Sequence, residues 1–261
     1  MLRVVFFDAA GTLFHTREPA GLSYAKIARR FGLEADDRLV IDSFRRAFAT
    51  APALAFGPGH EAAELRRLER EWWRRLVKAT FAGIGDFADF EAYFDALFAF
   101  FADPANWICD PHAPVLLAAL RESGLELGVI SNFDYRIYAI LEALELSRHF
   151  DSITISSEAG YAKPAPEIFR IALECHSSPA ERALHVGDSE ALDVAGARAA
   201  GIAAVLVDPS AVGPDAVGSD GAKPEVSGPA QWRERSCSED RCVRVRSLGE
   251  VAAALGRLGF P

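Results

Sequence analysis

Four short groups of residues in this 261-residue chain have the types and spacing to do chemistry. Asp8 stands in FFDAAGTLF directly after a bulky apolar run, with Gly11 freeing the turn and Thr12 adding a hydroxyl. A carboxylate so placed can serve as a nucleophile held by backbone amides. Ser131 and Asn132 close the run LGVISN. Their hydroxyl, amide and backbone donors could hold the equatorial oxygens of a phosphoryl group. Lys163 in YAKPAPEIF, fixed by Pro164, can neutralise both nucleophile and substrate. Asp188 in HVGDSEALD is followed five positions on by Asp193. Two carboxylates there, facing Asp8, make an oxygen-rich site suited to magnesium. Each group alone is a weak signal, since an aspartate after a strand is as often a helix cap or turn former.

The elements around these residues must bring them together. Residues 3–7, RVVFF, read as a buried strand, because parallel strands covered on both faces lose their polar alternation. The runs at 125–130, 152–156, 183–187 and 203–207 look similar, and helical patterns at 114–124, 134–146, 166–176 and 193–201 separate them. Gly124 and Gly201 sit where helix-stopping glycines are expected. The alternation predicts an α/β fold, a Rossmann-like doubly wound parallel sheet. Ligands bind beyond the carboxyl ends of such strands, which is where all four groups fall. Residues 15 to about 107 break the rhythm with amphipathic helical segments such as 21–32, 38–50 and 61–81, and no convincing strand. The expected division is a core of residues 1–14 and 108–261 with a helical cap domain at 15–107. Trp72, Trp73, Phe98, Phe100 and Phe101 would form the core of that cap, and Phe14, His15 and the segment 103–110 its hinges. The Gly-, Pro-, Ser- and acid-rich stretch 208–240 reads as a long loop, followed by a short strand and a closing helix.

A formal net charge of -9 argues against nucleic acid and anionic membrane as partners. An anionic substrate would then need a local metal ion or a local basic group. Of the four cysteines, Cys109, Cys175, Cys237 and Cys242, the last two flank SEDR, wider than usual paired zinc ligands and with no nearby histidine, so free thiols or an adventitious bridge are expected there. The opening MLRVVFFDAAGT lacks the pattern of a secretory leader, and no apolar run approaches the roughly 18 residues of a membrane span. A cytoplasmic location is the default expectation. The oligomeric state, monomer or homodimer, is not legible.

The order strand-DxxGT, strand-SN, KP ahead of a helix and strand-GDxxxxD resembles the four motifs of the haloacid dehalogenase superfamily. The resemblance spans essentially the whole chain, and the helical insert looks like that superfamily's cap in its commonest position. It implies in-line attack by Asp8, an aspartyl-phosphate and its hydrolysis by water. Mg2+ would be held by Asp8, the backbone carbonyl of Ala10 and Asp188, with Asp193 orienting metal-bound water or Lys163. The substrate would be a small phosphorylated metabolite, enclosed by the cap.

One position departs from the pattern. Most phosphatases of the superfamily carry a second aspartate two residues after the nucleophile as general acid and base, and here Ala10 occupies it. Three readings stay open: a phosphatase specialised for good leaving groups, or with His15 as substitute acid; a phosphonate C–P or dehalogenase-type hydrolase, the former using Lys26 or Lys78 for an imine; or a catalytically impaired relative that binds a ligand or protein. The opening FDAAGTLFHTREPAGLSYAKIARRFG resembles a subgroup named after a rhythmically expressed fly protein, which also replaces the second aspartate.

Overall fold

The computed structural model describes residues 1–210 and 242–259. The first apolar run forms β1 (Val4–Phe7), buried along its whole length. Side chains alternate across a strand, so Val5 and Phe7 enter one hydrophobic layer while Val4 and Phe6 enter another. After β2 (Phe14–Thr16) come four helices, α1 (Ala20–Arg30), α2 (Asp37–Thr50), α3 (Ala62–Phe81) and α4 (Phe90–Ala102). The chain then returns through β3 (Trp107–Cys109) and α5 (Ala113–Glu122) to β4 (Glu126–Ser131), α6 (Arg136–Ala143) and β5 (Ser152–Ile155). There follow α7 (Ser156–Ala159), α8 (Pro166–Cys175), β6 (Ala183–Gly187), α9 (Ala195–Ala199), β7 (Ala203–Val207), β8 (Cys242–Val245) and α10 (Val251–Arg257).

Six strands make one parallel sheet in the order β5-β4-β1-β6-β7-β8. Helices α5, α6 and α10 pack on one face through residues such as Leu117, Ile140 and Val251, and α8 and α9 on the other through Phe169 and Ala197. The expected doubly wound α/β sheet is therefore present. The chain winds outward from β1 through β4 to β5, then returns beside β1 as β6 and winds the other way. That reversal opens a crevice between the carboxyl ends of β1 and β6.

Helices α1–α4 share a separate apolar layer that includes Tyr24, Val77, Tyr93, Phe94 and Leu97. Of the aromatic residues expected in it, Phe98 is buried there, while Trp73, Phe100 and Phe101 pack against it half-buried. The Trp72 indole instead donates to the Pro52 carbonyl (2.9 Å).

Two local expectations need correction. The stretch read as having no convincing strand is bounded, at the hinge positions, by a hydrogen-bonded antiparallel ribbon, β2 against β3, with Phe14 opposite Cys109 and Thr16 opposite Trp107. The segment 193–201 is not one helix but a π turn, Glu190–Val194, leading into α9. Its wider winding comes from Ser189, whose carbonyl accepts from both Asp193 N (2.8 Å) and Val194 N (3.2 Å). Most of the expected 208–240 loop, Cys237 with it, lies outside the described residues. Cys109 and Cys175 are free thiols. Among the described residues, no helix is long and apolar enough to cross a membrane.

Candidate active site

Asp8 follows β1 directly, and its amide donates to the Val186 carbonyl of β6 (2.8 Å), so the sheet ladder itself fixes the carboxylate at the crevice. The chain then turns sharply: Leu13 N and Phe14 N both reach the Ala9 carbonyl, and Gly11 N donates to the Phe14 carbonyl (2.8 Å). Gly11 is required twice over. Its φ is +108°, a region side chains rarely adopt, and a Cβ there would lie 2.6 Å from Asp188 Oδ2.

Lys163 is buried between two acids, its Nζ donating to Asp8 Oδ1 (2.5 Å) and to Asp193 Oδ1 (2.7 Å). Asn132 sets that lysine in place. Its Oδ1 accepts from Lys163 N (2.7 Å) and its Nδ2 donates to the Lys163 carbonyl (2.9 Å). Both ends of that side chain are thus engaged by the lysine main chain, and the second N–H of the amide is left over from this clasp. Ser131 is buried at the end of β4. Register places Val129 opposite Phe7, which carries Ser131 past the end of β1 to the level of the crevice. Thr12 Oγ1 stands 3.5 Å from Asp8 Oδ2 and 3.4 Å from Asp188 Oδ1, a long link between the two carboxylates.

Asp193 has both oxygens occupied. Besides Lys163, Oδ1 accepts from His185 Nε2 (2.8 Å), and Oδ2 accepts from Ser189 N (3.0 Å). His185 is fully buried and its Nδ1 has no hydrogen-bond partner, so the donating proton belongs on Nε2. The backbone must come close for this arrangement: a Cβ on Gly187 would sit 2.2 Å from Asp193 Cγ. His185 and Gly187 thus buttress Asp193, a role absent from the sequence reading. The available signal was a histidine in an otherwise apolar strand.

Ligand atoms of Asp8, Asp188 and Asp193 lie within 4.8 Å of one another, with Lys163 as the lysine among them. The charge imbalance shows in the titration of each group. Burial pushes Asp8 up, and Lys163 pulls it back only in part. Asp188 opens to solvent at the mouth. Its carboxyl is nevertheless partly desolvated by the cleft walls and repelled by Asp8 and Asp193, which together push it up to about 6. Burial works against ionised Asp193 too, but Lys163 and His185 outweigh it and hold that carboxyl well below the usual range. Burial would lower Lys163, yet the two carboxylates prevail and keep its ammonium above the ordinary lysine value. An oxygen-rich cluster short of positive charge is what a divalent cation would relieve.

Beside the turn that follows Asp8, a cavity of about 260 Å³ is lined by Ala10 and Gly11 and by residues of α1, α2 and α3. His15 borders it, but its side chain is exposed on β2. Neither lysine considered for an imine lines it. Lys26 pairs with Glu18, and Lys78 lies over the Phe90 ring (5.1 Å). On one side of the cavity, Arg136 makes a buried bidentate pair with Asp134 through Nε (2.9 Å) and Nη2 (2.6 Å). Trp73 Nε1 of α3 donates to the same carboxylate (2.5 Å), and Glu69 of α3 accepts from Tyr135 N (3.3 Å). This polar seam ties α3 to the loop after β4.

A family model for haloacid dehalogenase-like hydrolases matches residues 2–201. The Bos taurus "haloacid dehalogenase-like hydrolase domain-containing protein 3" is 37% identical over 213 residues, covering 79% of this chain and 82% of the relative. The Drosophila melanogaster "rhythmically expressed gene 2 protein" is 27% identical over 215 residues, 78% of this chain and 82% of that one. Among solved structures, a HAD phosphatase from Thermococcus onnurineus superposes with a TM-score of 0.61 at 21% identity, covering 98% of each chain. An L-2-haloacid dehalogenase from Xanthobacter autotrophicus gives 0.68 at 20%, covering 98% of this chain and 99% of its own. At such identities the two structures speak for the fold alone.

Proposed function

Because the chain belongs to the haloacid dehalogenase-like hydrolases, we propose that it is a magnesium-dependent phosphatase that acts on a small phosphorylated metabolite through Asp8. The observation that carries this reading is Lys163 bridging Asp8 and Asp193 across from Asp188, at the switch point of the sheet. The donor set fits magnesium: Asp8, Asp188 and the Ala10 carbonyl would hold it. When bound, the ion supplies the positive charge that the cluster lacks.

Asp8 attacks phosphorus, and the bond from phosphorus to the leaving oxygen breaks as the aspartyl-phosphate forms. Lys163 stays on Asp8 Oδ1 and opposes the upward push of burial on that carboxyl. Ser131, the Asn132 main chain and the turn at Gly11 face the phosphoryl oxygens, and the short Thr12 side chain steadies Asp8. Water then cleaves the acyl phosphate, returning Asp8 as carboxylate and leaving dihydrogen phosphate. Asp193, fixed by His185 and Ser189, holds Lys163 in register rather than serving as a direct ligand. Residues 15–107 act as the cap over a core of 1–14 and 108–261, excluding water and selecting the substrate.

The test is hydrolysis of p-nitrophenyl phosphate and a panel of metabolite phosphates, with magnesium and with chelator, beside Asp8→Asn. Turnover that needs both magnesium and Asp8 is the expected result. Activity retained in Asp8→Asn would remove the nucleophile. Halide release from 2-haloacids without added metal, in the absence of phosphatase activity, would move the chain to the dehalogenase reading.

A further inference from the structure

We propose that the group released by this site is a compact aromatic acid or phenol, so that the substrate is an aroyl or aryl phosphate. The inference rests on the phosphatase reading and adds to it the chemistry of the leaving group. Two independent features point the same way.

The first is the cavity wall. From the helical side it is built by Tyr24, Phe44, Phe48 and Trp73, and from the core side by Trp107 and Phe133. These rings are packed against one another, Tyr24 on Phe44 with centroids 4.8 Å apart and Trp107 on Phe133 at 5.8 Å. Such a wall offers flat apolar surface and edge-to-face partners for another ring. A polyhydroxylated sugar would instead leave its hydroxyls desolvated and unpaired against it. Size agrees: an apolar cavity of about 150 Å³ accepts benzene, so about 260 Å³ admits one substituted ring or a fused pair. Besides His15 and Thr16 at its border, two buried side chains bring polar atoms to the wall. The Tyr24 hydroxyl and Arg136 Nη1 make no hydrogen bond to any other described residue, and both side chains are buried. They are buried donors available to an acceptor substituent on the ring.

The second feature is Ala10, which borders the same cavity beside Gly11. The methyl group cannot donate a proton to a departing oxygen. A phenolate or a carboxylate departs without one: the bond from phosphorus to its oxygen breaks, the electron pair leaves on that oxygen, and phosphorus passes to Asp8. An alkoxide would need the missing acid. Alanine here therefore removes a proton donor and clears apolar space for a ring in one change.

Leaving-group reactivity and pocket fit must be separated, so the experiment compares benzoyl phosphate with acetyl phosphate, whose carboxylates leave with similar ease. The expected kcat/KM ratio favours benzoyl by about tenfold or more, since even one methylene in an apolar pocket is worth roughly 10- to 200-fold. Ala20→Phe, which fills the cavity from the start of α1, should collapse that ratio. Binding read by calorimetry gives a second arm that needs no turnover: benzylphosphonate should bind the wild-type protein about tenfold or more tightly than methylphosphonate. Acetyl phosphate turned over through Asp8 with no benzoyl preference, and equal phosphonate affinities, would overturn the aromatic substrate and leave the phosphatase standing. No Asp8-dependent turnover of either acyl phosphate would remove the phosphatase reading and this proposal with it.

Discussion

In the proposed reaction, position 10 would decide how a leaving group departs, while its backbone could still serve a metal. Restoring the acid by Ala10→Asp should raise turnover of alkyl phosphates relative to p-nitrophenyl phosphate, by up to the about 10²- to 10⁴-fold that a positioned general acid contributes. Steady-state kinetics on the two substrate types measures it; an unchanged ratio would show that protonation does not limit the reaction. Asp188 gives a second test, through pH. Its carboxyl is raised to about 6 from an ordinary 3.8, so the metal-free fold binds that proton more tightly than the unfolded chain does. The stabilisation from this group is complete below about 3.8 and lost as pH rises through about 6. Metal-free protein should therefore gain thermal stability between about pH 7 and about pH 5, and Asp188→Asn should blunt that gain. Solvent at the mouth screens the group, which limits its share to about 1 kcal/mol. Identical pH profiles for the two proteins would contradict the crowded carboxylates.

At the scale of elements, the seam between α3 and the loop after β4 depends on one ion pair. Asp134 and Arg136 are both buried, and removing one partner strands the other's charge. Arg136→Met should cost about 3–5 kcal/mol in urea denaturation, and Asp134→Leu with Arg136→Met together should cost less than Arg136→Met alone. A mild single variant would mean that Trp73 suffices as a partner for Asp134. This seam was invisible in the sequence, because DYR after a strand end names no partner 61 residues upstream in α3. The parallel strands were legible, since runs such as VVFF and AAVLV, buried on both faces, are written as continuous apolar residues. The β2–β3 ribbon was not. Three-residue strands carry no periodicity, and their pairing is set by where the helical insert leaves and rejoins the sheet. The site divides the same way. Asp8, Lys163, Asp188 and Asp193 could be read because each ends or precedes a recognisable element. The Asn132 clasp on Lys163 and the His185 buttress could not, because each is a contact between segments whose separation only the fold sets.

The whole molecule carries a net charge of -9 and concentrates three carboxylates against one buried lysine at the meeting of its two windings. Folding brings those like charges together, so a cation that binds only the folded cluster must stabilise the entire chain by mass action. Magnesium at about 100 times its dissociation constant should add about 2.7 kcal/mol to unfolding free energy, read as a rise in the thermal midpoint. The rise should saturate with concentration and survive moderate sodium chloride, unlike nonspecific screening of the overall charge. Asp188→Asn should shrink it, since that variant removes a ligand and some of the repulsion that the ion relieves. Asp8→Asn should shrink it as well, and that variant separates metal binding from turnover because the midpoint needs no catalysis. A magnesium effect equal in all three proteins, or matched by sodium at equal ionic strength, would place the ion elsewhere on an acidic surface and detach it from this cluster.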